Sequence, residues 1–158
     1  MRGWTLVIML ALALVVQTLA GLSAALSSVV DPFLVVAVLA AMRGHRARAL
    51  TAGFLSGVIE DAWASRWYGQ FAFTHLVITF LIARVGVFVD LFQPLPVTIT
   101  FAIATAADWG LQLGLAAAFD RPLAQTPGLW GWFEAMGANV VLGWIFLRVM
   151  RRLEAGER

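Results

Sequence analysis

Apolar residues run along this chain in six long stretches, at about residues 4–24, 32–47, 48–65, 70–90, 97–119 and 130–150. Each approaches the ~20 residues that a helix needs to cross the hydrocarbon core of a bilayer. Polar and helix-breaking residues gather between them: Ser27-Ser28 ahead of Asp31-Pro32, the turn Arg43-Gly44-His45-Arg46, Arg66-Trp67-Tyr68-Gly69, Pro94 with Pro96, and the segment from Asp120 to Gly128. The pattern predicts an all-α polytopic membrane protein, with six transmembrane helices in one bundle and a single integral membrane domain over residues 1–158. The first apolar run continues to about Leu26. That is too long for a signal-peptide core of roughly 7–15 residues, so it is expected to be a retained first helix.

Local signals sharpen two boundaries. Pro32 suits the first helical position, and Asp31 just before it can accept from the free N–H groups of the opening turn. Pro94 and Pro96 are expected to break the chain between the fourth and fifth spans. The third span carries the clearest spacing: Ala49, Gly53 and Gly57 recur at every fourth position, and Asp61 follows on nearly the same face. A Gly-x-x-x-Gly step lets a second helix approach backbone to backbone. Gly53, Gly57, Asp61 and Pro32 are therefore expected to serve helix packing, either within the bundle or against a partner. Gly110 and Gly114 supply a second such step, on another face of the fifth span.

Composition agrees with a membrane class: 61% of the 158 residues are hydrophobic and 13% charged, against roughly 25% charged in soluble domains. Cysteine is absent, which excludes disulfides, thiol nucleophiles and thiolate metal sites. All 11 basic residues are arginine. With six spans, Arg2, Arg43, Arg46, Arg48, Arg84, Arg151 and Arg152 fall on one side, and Arg66 and Arg121 on the other. The positive-inside rule then puts both termini in the cytoplasm. Arg43, Arg46, Arg48, Arg151 and Arg152 are expected to be topology anchors or contacts to anionic lipid. Trp63, Trp67, Tyr68, Trp130 and Trp132 would form the outer aromatic belt. No basic face with groove-reading elements is present, so nucleic acid is not an expected partner.

Polar residues within the spans converge on the outer half: Asp61, His75, Asp108, Gln112, Glu134 and Asn139. Thr98, Thr105, Asp108 and Gln112, spaced by seven, three and four, form a stripe that should face the bundle interior. Three uses fit such a cluster: a hydrogen-bonded packing network, an outward small-molecule cavity, or acid–base chemistry by an Asp61/Asp108 dyad. Lipoprotein signal peptidases have such a pair, but in asparagine-rich surroundings that are missing here. No nucleophile elbow, zincin, Walker or dinucleotide fingerprint occurs. The two histidines, His45 and His75, are expected on opposite sides of the membrane, so neither a histidine-based metal site nor any cofactor is expected.

Asp31-Pro32-Phe33 with its apolar run, the basic turn, Gly53-x-x-x-Gly57-x-x-x-Asp61 and Gly69 opening another apolar run together resemble the MreD family of rod shape-determining proteins. The likeness covers about residues 30–92. It implies a non-catalytic, multi-pass scaffold of the bacterial inner membrane that serves the cell-elongation machinery. Such a scaffold binds the bitopic protein MreC, supports RodA and its class B penicillin-binding transpeptidase, and faces MreB filaments on its cytoplasmic side. It also implies a fold like the six-helix S-components of energy-coupling-factor vitamin transporters, and that likeness supplies the alternative function, vitamin binding in the outer half.

Overall fold

A computed structural model describes residues 3–43, 45–64, 69–120 and 128–155. The described residues are helical, with no strand. The elements are α1 (Gly3–Ala20), the short α2 (Ala24–Ser27), α3 (Pro32–Ala41), α4 (Arg46–Ala64), α5 (Gln70–Val85), α6 (Pro94–Ala118) and α7 (Leu129–Ala155). Four stretches are long and apolar enough to cross a membrane: α1, residues 24–41, α6, and residues 130–155. Two expected spans fall outside that class. Helix α5 is apolar but has only 16 residues, and α4 carries Arg46, Arg48, Glu60 and Asp61.

The bundle is built around α3. Its sequence, Pro-Phe-Leu-Val-Val-Ala-Val-Leu-Ala-Ala, has no polar face, and all ten residues are buried. A helix that is apolar all round has to be enclosed on every side, and α3 touches α1, α4, α5, α6 and α7. Met9 and Ala13 of α1, Ile78 of α5, Phe101 of α6, and Phe146, Leu147 and Met150 of α7 close over it. Large apolar side chains such as Val7, Leu19, Leu81, Ile103 and Val141 are exposed. Meanwhile Ser56, Glu60, Asp61, Thr74, His75, Thr79, Thr105, Asp108 and Asn139 are buried. This is the inverse of a soluble domain and suits a protein whose solvent is hydrocarbon.

Several helix ends differ from the spacing-based expectation. The second span was placed at 32–47, but its helix stops at Ala41, where the Met42 N–H closes on Val38 O at 2.9 Å. Arg46 and Arg48 therefore lie exposed in the first turn of α4, not at the end of the preceding helix. Helix α5 ends at Val85, short of residue 90. Gly86 caps it, with room for a Cβ limited by Met42 O at 3.1 Å. Pro94 and Pro96 do not interrupt a helix. Both sit in the first turn of α6, where a missing N–H costs nothing. Helix α7 continues past residue 150 to Ala155, and Glu154 in its last turn pairs with Arg43.

That ion pair marks one end of the bundle. The Arg43 guanidinium also lies over the Phe92 ring, 5.6 Å from its centroid, and Arg151 donates to Phe92 O at 3.4 Å. Exposed Arg46, Arg48, Arg151 and Arg152 complete a basic rim there. Arg2, Arg66, Trp67, Tyr68 and Arg121, which the topology argument also uses, lie outside the described residues.

Candidate functional site: an acidic cavity with a buried histidine

The tightest pairing in the bundle is α4 with α5, and the small-residue ladder makes it. A Cβ on Gly53 would stand 2.9 Å from His75 O, and one on Gly57 would stand 2.5 Å from the backbone nitrogen of Ala72. The partner that these glycines admit is thus α5 of the same chain. Asp61 completes the hairpin. Its Oδ2 accepts from Gly69 N at 2.9 Å and Ala72 N at 3.1 Å, and its Oδ1 from Phe71 N at 3.0 Å. One carboxylate in α4 therefore satisfies three of the free N–H groups that open α5, where the helix dipole also favours negative charge. Gly69 takes φ +97°, a left-handed conformation that glycine adopts without strain, to turn the chain into that cap.

The close approach brings a second set of polar groups together. His75 of α5 is fully buried. Its Nδ1 is 3.1 Å from Ser56 Oγ, and Ser56 in turn donates to Gly53 O at 3.0 Å. With the hydroxyl proton spent on Gly53, Ser56 is the acceptor, so Nδ1 carries a hydrogen. Nε2 then points at two carboxylates: Glu60 Oε2 at 3.4 Å and Asp31 Oδ2 at 3.7 Å. Nε2 is buried and makes no hydrogen bond.

Asp31 is clamped from both sides. Its Oδ1 accepts from Leu34 N at 2.7 Å, capping α3, and its own N–H donates to Asn139 Oδ1 at 2.8 Å. Asn139 Nδ2 donates to Thr105 Oγ1 at 3.3 Å, which ties α7 to α6. Asp108, one turn further along α6, is buried and accepts from Gln112 through Oδ2, while its Oδ1 has no hydrogen-bond partner. These groups line a cavity of about 320 Å³ that includes Asp31, Glu60, Asp108, Gln112 and Asn139, walled by Trp63, Trp109 and Trp132. The Trp109 and Trp132 rings lie 6.2 Å apart.

His75, Asp108, Gln112 and Asn139, predicted to converge in the outer half of the bundle, thus lie in or beside one cavity. Glu134, predicted to join them, does not: its position on α7 leaves it exposed and absent from the cavity wall. Asp61 is spent on the α5 cap, so an Asp61/Asp108 dyad lacks a carboxylate free to act. Asp31 and Glu60 are the two site residues that sequence reasoning missed. Asp31 was legible only as a cap, and Glu60 was overshadowed by its neighbour in the ladder. Adjacent helical positions diverge by about 100°, and that divergence sends Asp61 to the cap and Glu60 to the histidine. No family model, curated protein or solved structure matches the chain.

Proposed function

We propose that this chain is a six-helix, non-catalytic membrane scaffold of the MreD type, serving the bacterial cell-elongation machinery. The supporting observation is where the residues of the resemblance fall. Asp31 caps α3, Gly53 and Gly57 seat α4 on α5, and Asp61 with Gly69 opens α5. Every motif position builds one rigid α3–α4–α5 unit, and none is left poised to react. In this reading α4 and α5 complete the count of six spans, their charges facing protein, the cavity or the boundary. The basic rim around Arg43, Arg46, Arg48, Arg151 and Arg152 is cytoplasmic by the positive-inside rule, toward MreB. The acidic cavity is periplasmic, toward MreC, RodA and the class B transpeptidase. Because α5 occupies the glycine face, MreC binds elsewhere on the surface.

The test is complementation and co-purification. The chain should restore rod shape to a bacterium depleted of its own MreD and should co-purify with the MreC of its own genome. Round cells together with no MreC recovered would overturn the scaffold reading.

The cavity favours one second reading, an S-component of a vitamin transporter. Its ~320 Å³ and tryptophan walls lie at the lower edge of small-ligand pockets, roughly 300–1,000 Å³. Native mass spectrometry separates the two: an S-component retains a stoichiometric vitamin and a scaffold does not.

A further inference from the structure

Asp31, Glu60 and His75 gather one potential ligand atom each around a single point. Two carboxylates face an imidazole nitrogen whose ring is already protonated on the far side, at Nδ1. In the neutral ring, Nε2 presents a lone pair to two anions. The group is enclosed: the His75 side chain is fully buried, and those of Glu60 and Asp31 are 9% and 16% exposed. Nε2, buried and without a hydrogen-bond partner, is aimed at both carboxylates, and one imidazole with two carboxylates is a donor set that a metal cation takes.

We propose that Asp31, Glu60 and His75 form a binding site for one divalent transition-metal ion of the zinc class, at the floor of the acidic cavity. The three ligand atoms all lie within 4.8 Å of one another. Ligands at zinc bond lengths of 2.0–2.2 Å and tetrahedral angles stand about 3.4 Å apart. The 3.4 and 3.7 Å separations from Nε2 match that spacing with only small movements. A set of one imidazole and two carboxylates suits zinc and its first-row neighbours. The surrounding shell is also in place. Ser56 holds Nδ1–H and so fixes the metal-binding tautomer, while Leu34 N holds the second oxygen of Asp31. The ligands come from the start of α3, from α4 and from α5, so the ion would staple the same unit that the glycines bring together. The cavity supplies the entry path and an open fourth position, with Asp108 and Asn139 on its wall. Such a site needs only one histidine, so the separation of His45 from His75 leaves it intact. The inference stands independently of the scaffold reading.

The full-length protein, purified in detergent and stripped with chelator, is titrated with Zn²⁺ and separately with Co²⁺. The expected result is one zinc per chain retained through gel filtration, visible absorption bands on cobalt loading, and a higher melting temperature with either ion. Asp31→Asn and Glu60→Gln, which keep volume and, for Asn, the cap, should each weaken binding at least about tenfold, and Ser56→Ala about tenfold through loss of the Nδ1 partner. Glu134→Gln, away from the cavity, should leave binding unchanged. Helical content measured on each variant separates lost binding from lost fold. Two results overturn the proposal: a wild-type protein that retains neither ion and melts unaltered in their presence, which leaves a doubly protonated His75 bridging the carboxylates, or undiminished binding by the Asp31→Asn/Glu60→Gln double variant.

Discussion

Gly57 lies against the backbone of Ala72, so near that a methyl group on the glycine would stand 2.5 Å from the Ala72 nitrogen. Neither atom belongs to a side chain that can rotate away. Gly57→Ala must therefore push α4 off α5, at a cost of roughly 2–3 kcal/mol. Gly114→Ala is the control, because nothing lies within 4 Å of a Cβ there, and a helical Gly→Ala change is neutral or mildly stabilising. Thermal unfolding in detergent should show a marked drop for the first and none for the second. Equal melting of the two would mean that the helices do not meet where the glycines are.

Asp61 makes a different kind of contribution to the same hairpin. Asp61→Ala removes the acceptor of three backbone N–H groups at the start of α5, those of Phe71 and Ala72 buried, at a cost of roughly 3 kcal/mol. Asp61→Asn keeps one good acceptor and should lose about half of that. Hydrogen exchange at Phe71 and Ala72 reads the cap directly. Protection there should fall sharply in the alanine variant, and unaltered protection would refute the cap.

Asn139 joins three elements through one amide. Replacing it with leucine removes the acceptor for the Asp31 N–H and the donor to Thr105, so Asn139→Leu should destabilise by about 1–3 kcal/mol. A double-mutant cycle with Thr105→Val should give a coupling near 0.6 kcal/mol, the average for interhelical hydrogen bonds in membrane proteins. A coupling of zero would place the two side chains out of contact.

The Arg43–Glu154 pair should matter less than its position suggests. Its side chains are 30% and 24% exposed, so the interaction is partly screened and contributes about 0.5–1 kcal/mol. Glu154→Gln should lower stability by that much at low salt, and the difference should shrink as ionic strength rises. A salt-independent loss would point to packing of the Arg43 stem, for which the Phe92 ring is the available surface.

These expectations show which features the sequence carries openly. The ladder of Ala49, Gly53 and Gly57 announced a close helix neighbour because small residues at helical spacing have few other uses in lipid. It did not name the neighbour, since spacing on one helix says nothing about which helix fills the groove. Asp31-Pro32 was readable as a helix start because capping is local chemistry. Asp61 was placed near a helix end, but the cap it makes crosses to another helix. Glu134 misled because a carboxylate in an apolar run suggests burial, whereas α7 turns it outward. The meeting of Asp31, Glu60 and His75 was out of reach, for it depends on α3, α4 and α5 converging from three separate parts of the chain.

The ten enclosed residues of α3 bear on how the protein is made. A ten-residue helix rises about 15 Å, half the thickness of the hydrocarbon layer. The stretch 24–41 reaches across only by including α2 and the turn before Pro32, where backbone groups outside a helix need protein around them. The wall around α3 includes α7, which leaves the ribosome after α1, α4, α5 and α6. Enclosure of α3 is therefore a late event, in which a central peg waits inside the membrane until α7 closes the wall around it.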